Sequence, residues 1–293
     1  LPQIALCLVD PQNDFQQLLR ADAEAAAREA GLAVDVSWSG HELSGQLTGI
    51  GRRLTTEPKP DAILVMAVRD RGLGRLVREA GRAGIHWLFL NRSEDELPEL
   101  RREFPQLAIS CVCADELETG RIQGRILSRL LPAGGRVLYV EGTRRSLAAR
   151  DRSAGAAEAV QGTKIELVPV EAGWTSQESE EAVHGWLAVA LRAQRKIDLV
   201  ACHTDAIALG AIAALRRMAT ELGRPELVKI PIVGCDGTPT LGQAMVADGR
   251  LVATIVLPRS AGPAVQVIAS VLRGGSRPDA FVMLKGEPFF ARP

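Results

Sequence analysis

The chain has 293 residues, 46% of them hydrophobic, and its 35 Lys+Arg balance 35 Asp+Glu. That length fits two cores of ordinary size. Zero net charge with no basic stripe argues against a nucleic-acid or anionic-membrane binder, and no run of about eighteen apolar residues encodes a helical membrane span.

The chain opens on Leu1 rather than Met and enters a strand-like run at once. An upstream piece is therefore expected: a signal peptide, a membrane anchor or a DNA-binding headpiece. Residues 4–9 read as a strand and 15–30 as an Ala-rich helix stopped by Gly31. A strand over 33–38, a helix over 43–55, a strand over 62–66 and a helix over 73–83 stopped by Gly84 follow. Strands over 87–90 and 107–113 come next, then a helix over 117–131, a strand over 136–140 and a helix over 147–160. The alternation continues with a strand over 165–170, a helix over 178–194, a strand over 199–202 and a helix over 206–222. Residues 230–235 read as a strand, 241–247 as a helix, 252–257 as a strand, 264–272 as a helix and 281–284 as a last strand. Short apolar strands separated by helices imply parallel sheets covered on both faces and right-handed crossovers. There are too many strands for one open sheet, and the pattern restarts after Cys113, so two α/β lobes joined by short crossings are expected.

The five cysteines, Cys7, Cys111, Cys113, Cys202 and Cys235, all lie in apolar strand-like runs and read as buried free thiols. Cys111 and Cys113 share one strand face, with Cα atoms about 6–7 Å apart and parallel side chains, a poor geometry for a bridge. The four histidines are scattered without metal-ligand spacing, so no metal and no cofactor are implied. His41-Glu42-Leu43-Ser44-Gly45 lacks the second histidine of a metalloprotease motif, and Gly72-Leu73-Gly74 lacks the third glycine of a dinucleotide loop. No nucleophile elbow or phosphate loop ending in Gly-Lys-Ser/Thr exists, and no convergent acid, base and nucleophile set points to an enzyme.

A different constellation gathers at the carboxyl ends of the expected strands, where ligands bind in open parallel sheets. These ends carry Asp10 and Asn13-Asp14-Phe15, then Arg69, then Asn91-Arg92. Further on come Glu141-Gly142 with Arg150 and Arg152, Gly173-Trp174, His203-Thr204-Asp205, and Asp236. Amides, carboxylates and guanidiniums with an aromatic face suit a polyhydroxylated ligand. Each residue has a plainer reading. Asp14 and Asp205 read first as helix N-caps, Arg152 as a scaffold ion pair with Asp151 or another acid, Phe15 as core or stacking face, and Asp236 alone as a cap.

Asn13-Asp14-Phe15, Asn91-Arg92, Ala148-Ala149-Arg150-Asp151-Arg152, Val233-Gly234-Cys235-Asp236-Gly237-Thr238-Pro239 and Asp248-Gly249-Arg250-Leu251-Val252-Ala253-Thr254 fall in order along the chain. Together they resemble the type I periplasmic sugar-binding proteins of ABC importers, the ribose-binding-like group. Effector domains of lactose-repressor-like regulators and periplasmic sensor domains share that fold and remain alternatives. The resemblance implies two Rossmann-like lobes, 1–114 with 258–284 and 115–257 with 285–293, joined by three hinge crossings around a ligand cleft. It implies a monomer, secreted to the periplasm or cell surface, that closes on its ligand, hands it to an ABC transporter permease and binds no nucleic acid. The ligand set it implies is Asn13, Phe15, Asn91, Arg92, Arg150, Trp174, Thr204 and Asp236, to which Asp10 and Arg69 are added as neighbouring charges. Four positions depart from the family: Gln16 for a second aromatic, Asn91 for Asp, Thr204 for Asn and Leu257 for a polar residue. A less acidic site follows, so a ligand bearing a carboxylate or phosphate is an alternative to a neutral sugar.

Overall fold

The computed structural model describes residues 1–291, apart from the side chain of Asp14. In chain order the elements are β1 (Gln3–Leu8), α1 (Asp14–Ala30), β2 (Ala33–Trp38), α2 (Leu43–Thr55), β3 (Ala62–Val65), α3 (Gly74–Arg82), β4 (His86–Leu90), α4 (Leu97–Glu103) and β5 (Ile109–Ala114). Then follow α5 (Glu116–Leu130), β6 (Gly135–Glu141), α6 (Leu147–Val160), β7 (Ile165–Glu171), α7 (Ser176–Arg192), β8 (Leu199–Cys202) and α8 (Asp205–Leu222). A 3-10 turn over Pro225–Lys229 leads into β9 (Ile232–Val233), and a π turn over Pro239–Gln243 runs into the one-turn α9 (Ala244–Ala247). The chain ends with β10 (Ala253–Val256), α10 (Ala261–Leu272), β11 (Phe281–Leu284) and β12 (Glu287–Phe290).

The chain divides into two compact units, one of Leu1–Ala114 and Pro258–Leu284, the other of Asp115–Leu257 and the chain from Lys285 onward. The amino-terminal unit holds a six-stranded, all-parallel sheet in the order β11-β5-β4-β3-β1-β2. Alternate strand residues face opposite sides. Cys7, Ile63, Val65, Trp87 and Phe89 pack under α2, α3 and α4, while Leu6, Leu8, Leu64, Leu88 and Leu90 pack under α1 and α10. Burying each such side chain contributes about 1.5–3 kcal/mol, so both helical layers are needed to cover this sheet.

The second unit repeats the plan with the order β12-β10-β9-β8-β6-β7, parallel except for β12, which runs antiparallel to β10. Leu138, Val140, Val200 and Cys202 face α7 and α8, and Val137, Tyr139, Leu199 and Ile255 face α5. Helices α5 and α6 touch through glycines. A β-carbon on Gly155 would lie 2.0 Å from the Leu117 carbonyl oxygen, and one on Gly120 would lie 2.1 Å from that of Arg152.

Several expectations change. The strand expected over 230–235 is reduced to Ile232–Val233, because Pro231 has no N–H to donate. The chain beyond stays alongside β10 through single bonds, the Gly234 amide to the Ala253 carbonyl and the Asp236 amide to the Ile255 carbonyl, both 3.0 Å. The helix expected over 241–247 begins as the π turn and is α-helical only over Ala244–Ala247. Helix α4 and strand β12 were not expected at all. The caps of α1 and α8 are Asn13 and Thr204, one residue before the aspartates expected there. None of the five cysteines forms a disulfide, and Cys113 is only partly buried. No helix among the described residues is long and apolar enough to cross a membrane.

Candidate functional site

In each sheet the strand order reverses beside the unit's first strand, so the carboxyl ends of β1 and β3, and of β6 and β8, flank a topological switch point. In the amino-terminal unit the loops there are pegged from below by buried polar side chains. Gln16, 5% exposed, turns its Oε1 back to accept from the Val9 and Asp10 amides at 2.8 and 3.1 Å. Gln46, on α2 and fully buried, donates Nε2 to the Met66 carbonyl at 2.9 Å and accepts from the Val68 amide at 3.0 Å. Glu94 accepts from the Gly72 and Leu73 amides at 2.8 and 2.9 Å, and burial raises its pKa.

The candidate residues ride on these pegs. The Asn13 Oδ1 caps α1 by accepting from the Gln16 amide at 3.0 Å, and its exposed amide nitrogen remains available to a ligand. Phe15 is half-buried against the α1 side of the core. Asp10 accepts from the Gln12 amide at 2.8 Å and lies 3.3 Å from His41 Nε2. Asn91 takes a left-handed φ of 64° and accepts from the Ser260 hydroxyl at 2.7 Å. Arg92 donates Nη1 to the Val68 carbonyl at 2.9 Å, tying the ends of β3 and β4 together. Arg69 is exposed at the end of β3.

In the second unit a polar chain runs beneath β6 and β8. The Gly142 amide donates to His203 Nδ1 at 3.2 Å, His203 Nε2 lies 3.4 Å from the Ser153 hydroxyl, and that hydroxyl donates to Glu141 at 2.6 Å. This order requires neutral His203 with its proton on Nε2. Burial, helped by the Arg152 charge, pushes its pKa down to about 3. The close approach of α5 and α6 seats Arg152 against Glu116, with Nε 2.5 Å from Oε2, and the same guanidinium donates to the His203 carbonyl. Arg152 is thus scaffold, and its acid is Glu116, not Asp151.

Asp236 follows β9 with φ 103°, its Oδ1 4.0 Å from Arg152 Nη1. Burial pushes its carboxyl up to about 8, opposed by Arg152 and reinforced by the charges of Asp205 and Glu116. Its side chain still keeps 32% exposure, which leaves the carboxyl reachable by a ligand. Asp205 holds this turn in place. Its carboxylate accepts from the Gly237 amide and the Thr254 hydroxyl, both at 2.7 Å, and burial raises its pKa to about 6. Gly237 has φ 58°, and a β-carbon there would lie 2.6 Å from Val256 Cα, so only glycine fits.

Trp174, half-buried after β7, lies over Gly142, where a β-carbon would come 2.4 Å from the indole, and tilts 33° to His203 at 6.4 Å. Arg150 is exposed on the first turn of α6, and its side chain makes no hydrogen bond or ion pair among the described residues. Thr204 is a buried cap whose hydroxyl accepts from the Ile207 amide at 3.0 Å, which leaves its proton and one lone pair for a further partner. Leu257 packs partly buried against the α5 side of the core. The second unit thus presents a donor fork on the first turn of α6, a carboxyl just beyond β9 and an indole just beyond β7, all on the carboxyl side of its sheet. Such a set can bond hydroxyls and cover a C–H face.

Residues 4–275 match the family model described as a periplasmic binding protein domain. The chain belongs to this family. The ribose import binding protein of Salmonella typhimurium is 26% identical over 273 residues, 92% of this chain and 85% of that protein. The D-ribose/D-allose-binding protein of Pseudomonas aeruginosa is 24% identical over 86% of this chain and 76% of its own. Among solved structures, a periplasmic solute-binding protein of an ABC transporter from Actinobacillus succinogenes, with bound D-allose, aligns with a TM-score of 0.82. It covers 99% of this chain and 98% of its own at 19% identity, a likeness of fold.

Proposed function

We propose that this family member captures a small polyhydroxylated ligand, a sugar or sugar derivative, outside the cytoplasm and delivers it to an ABC importer. The observation that carries the proposal is that Arg150, Asp236 and Trp174 follow β6, β9 and β7 on the carboxyl side of the second sheet, above a buried hydrogen-bonded network. Asp10, Asn13, Phe15, Arg69, Asn91 and Arg92 form the corresponding set of the amino-terminal unit. The ribose- and allose-binding names of the relatives support a pentose or hexose. By the same reading the importer's permease is the protein partner, and the chain does no chemistry on its ligand.

Calorimetry against neutral sugars and the matching sugar acids tests this. One class should bind saturably, and Arg150→Ala should weaken it at least about tenfold, since hydrogen bonds to charged groups contribute about 1.5–3 kcal/mol. Full affinity in Arg150→Ala for a sugar that the parent binds would remove Arg150 from the site. No binding across the panel would overturn the ligand class.

A further inference from the structure

At the other end of the amino-terminal sheet lies a groove of about 460 Å³ lined by Leu97, Pro98, Arg101, Arg102, Arg277 and Phe281. It opens where β5 and β11 begin, away from the strand carboxyl ends. Among the described residues, the other arginines that are partly or fully buried, Arg53, Arg78, Arg121, Arg136, Arg152 and Arg224, are each ion-paired with a carboxylate. Arg101 and Arg277 break that rule. Arg101 donates to the Ile109 carbonyl, the Ser110 hydroxyl and the Pro278 carbonyl. Arg277 donates to the carbonyls of Leu107 and Arg101. A guanidinium has five N–H groups, so both keep donors in reserve. Arg102 adds a third guanidinium at the rim, exposed and paired with Glu99.

Carbonyls satisfy N–H groups but do not neutralise two adjacent cations, and partly buried charges are normally paired. Burial disfavours the charge on both side chains, and Arg277 adds to the penalty on Arg101. Asp279 favours the Arg101 charge from nearby without forming an ion pair. The floor is apolar: Leu97 is buried, and Phe281 is 44% exposed on the edge strand β11. Arginine forks match carboxylates in geometry as well as charge.

We infer that the amino-terminal unit carries a second site at the amino ends of β5 and β11, which takes a small organic carboxylate with an apolar body. Benzoate is the probe, benzamide its uncharged isostere, and inorganic phosphate the anion without an apolar body. In low salt, benzoate should saturate with shifts of the Arg101 and Arg277 side-chain NMR signals. Phosphate should bind several-fold more weakly, and benzamide should not saturate. Arg277→Gln should weaken benzoate at least tenfold. Phe281→Ser, which touches none of these hydrogen bonds, should weaken benzoate several-fold and leave phosphate unchanged, so the test survives if the arginine variant fails to fold. Equal responses to benzoate and benzamide, or no saturation by benzoate, would overturn the inference, as would unchanged benzoate affinity in Phe281→Ser.

Discussion

Replacing Asp236 by Asn should stabilise the protein while weakening its ligand binding. The native carboxyl occupies φ 103°, a region that L residues other than Asn and Asp rarely enter. Its nearest guanidinium, on Arg152, is 4.0 Å away and already bound by Glu116. The rise from 3.8 to about 8 is roughly four units, and at about 1.4 kcal/mol per unit it sets a ceiling near 6 kcal/mol. With 32% of the side chain open to water, screening reduces the usable figure to about 1–2 kcal/mol. At about 2–4 °C per kcal/mol for domains of 150–250 residues, Tm should rise by roughly 2–8 °C. Because the folded-state value lies above the unfolded one, the neutral acid costs the fold nothing below about pH 4. Wild-type stability then falls relative to the variant as pH climbs from about 4 to about 8, and the gap is constant beyond. Paired thermal melts from about pH 4 to 9 read this directly. A gap that does not widen with pH would show that Arg152 already compensates the ionised carboxylate, and the reasoning would fail.

Trp174→Ala should weaken sugar binding by about 1–3 kcal/mol and abolish most of the ligand-induced fluorescence change; an intact response would assign the signal to another tryptophan. Glu116→Gln leaves the buried Arg152 guanidinium without its close carboxylate and should cost about 3–5 kcal/mol in urea unfolding. Gln46→Leu orphans the Met66 carbonyl and the Val68 amide at about 1–3 kcal/mol each, so denaturant melts should show a loss of at least about 2 kcal/mol.

The alternation of strands and helices was legible because its signals are local. Gly31 and Gly223 stop α1 and α8 in the left-handed conformation, and apolar runs mark the central strands. Helix α4 escaped because its seven residues carry only Leu97 and Leu100 to the core. Strand β12 escaped because Glu287-Pro288 looks like a turn, yet it adds to the sheet antiparallel at the β10 edge. Strand-end positions such as Asp236 could be read from where apolar runs stop, whereas Arg150 lies on the first turn of α6, beyond the loop that follows β6. The pegs could not. Gln16, Gln46, His203 and Asp205 bond groups whose placement depends on the folded sheet, and no spacing in the chain announces a buried glutamine aimed at a distant carbonyl.

The order in which the strands are made has its own consequence. The amino-terminal sheet needs β11 at its edge and α10 over the face it shares with α1, and both lie beyond the whole of residues 115–257. During vectorial synthesis the nascent first unit therefore waits with Leu88, Leu90 and Val112 short of their α10 cover. The interrupted unit cannot close early, whereas the second lacks only its antiparallel edge strand when residue 257 emerges. Such a polypeptide keeps part of the apolar surface of its first unit uncovered until α10 and β11 have emerged, late in translation.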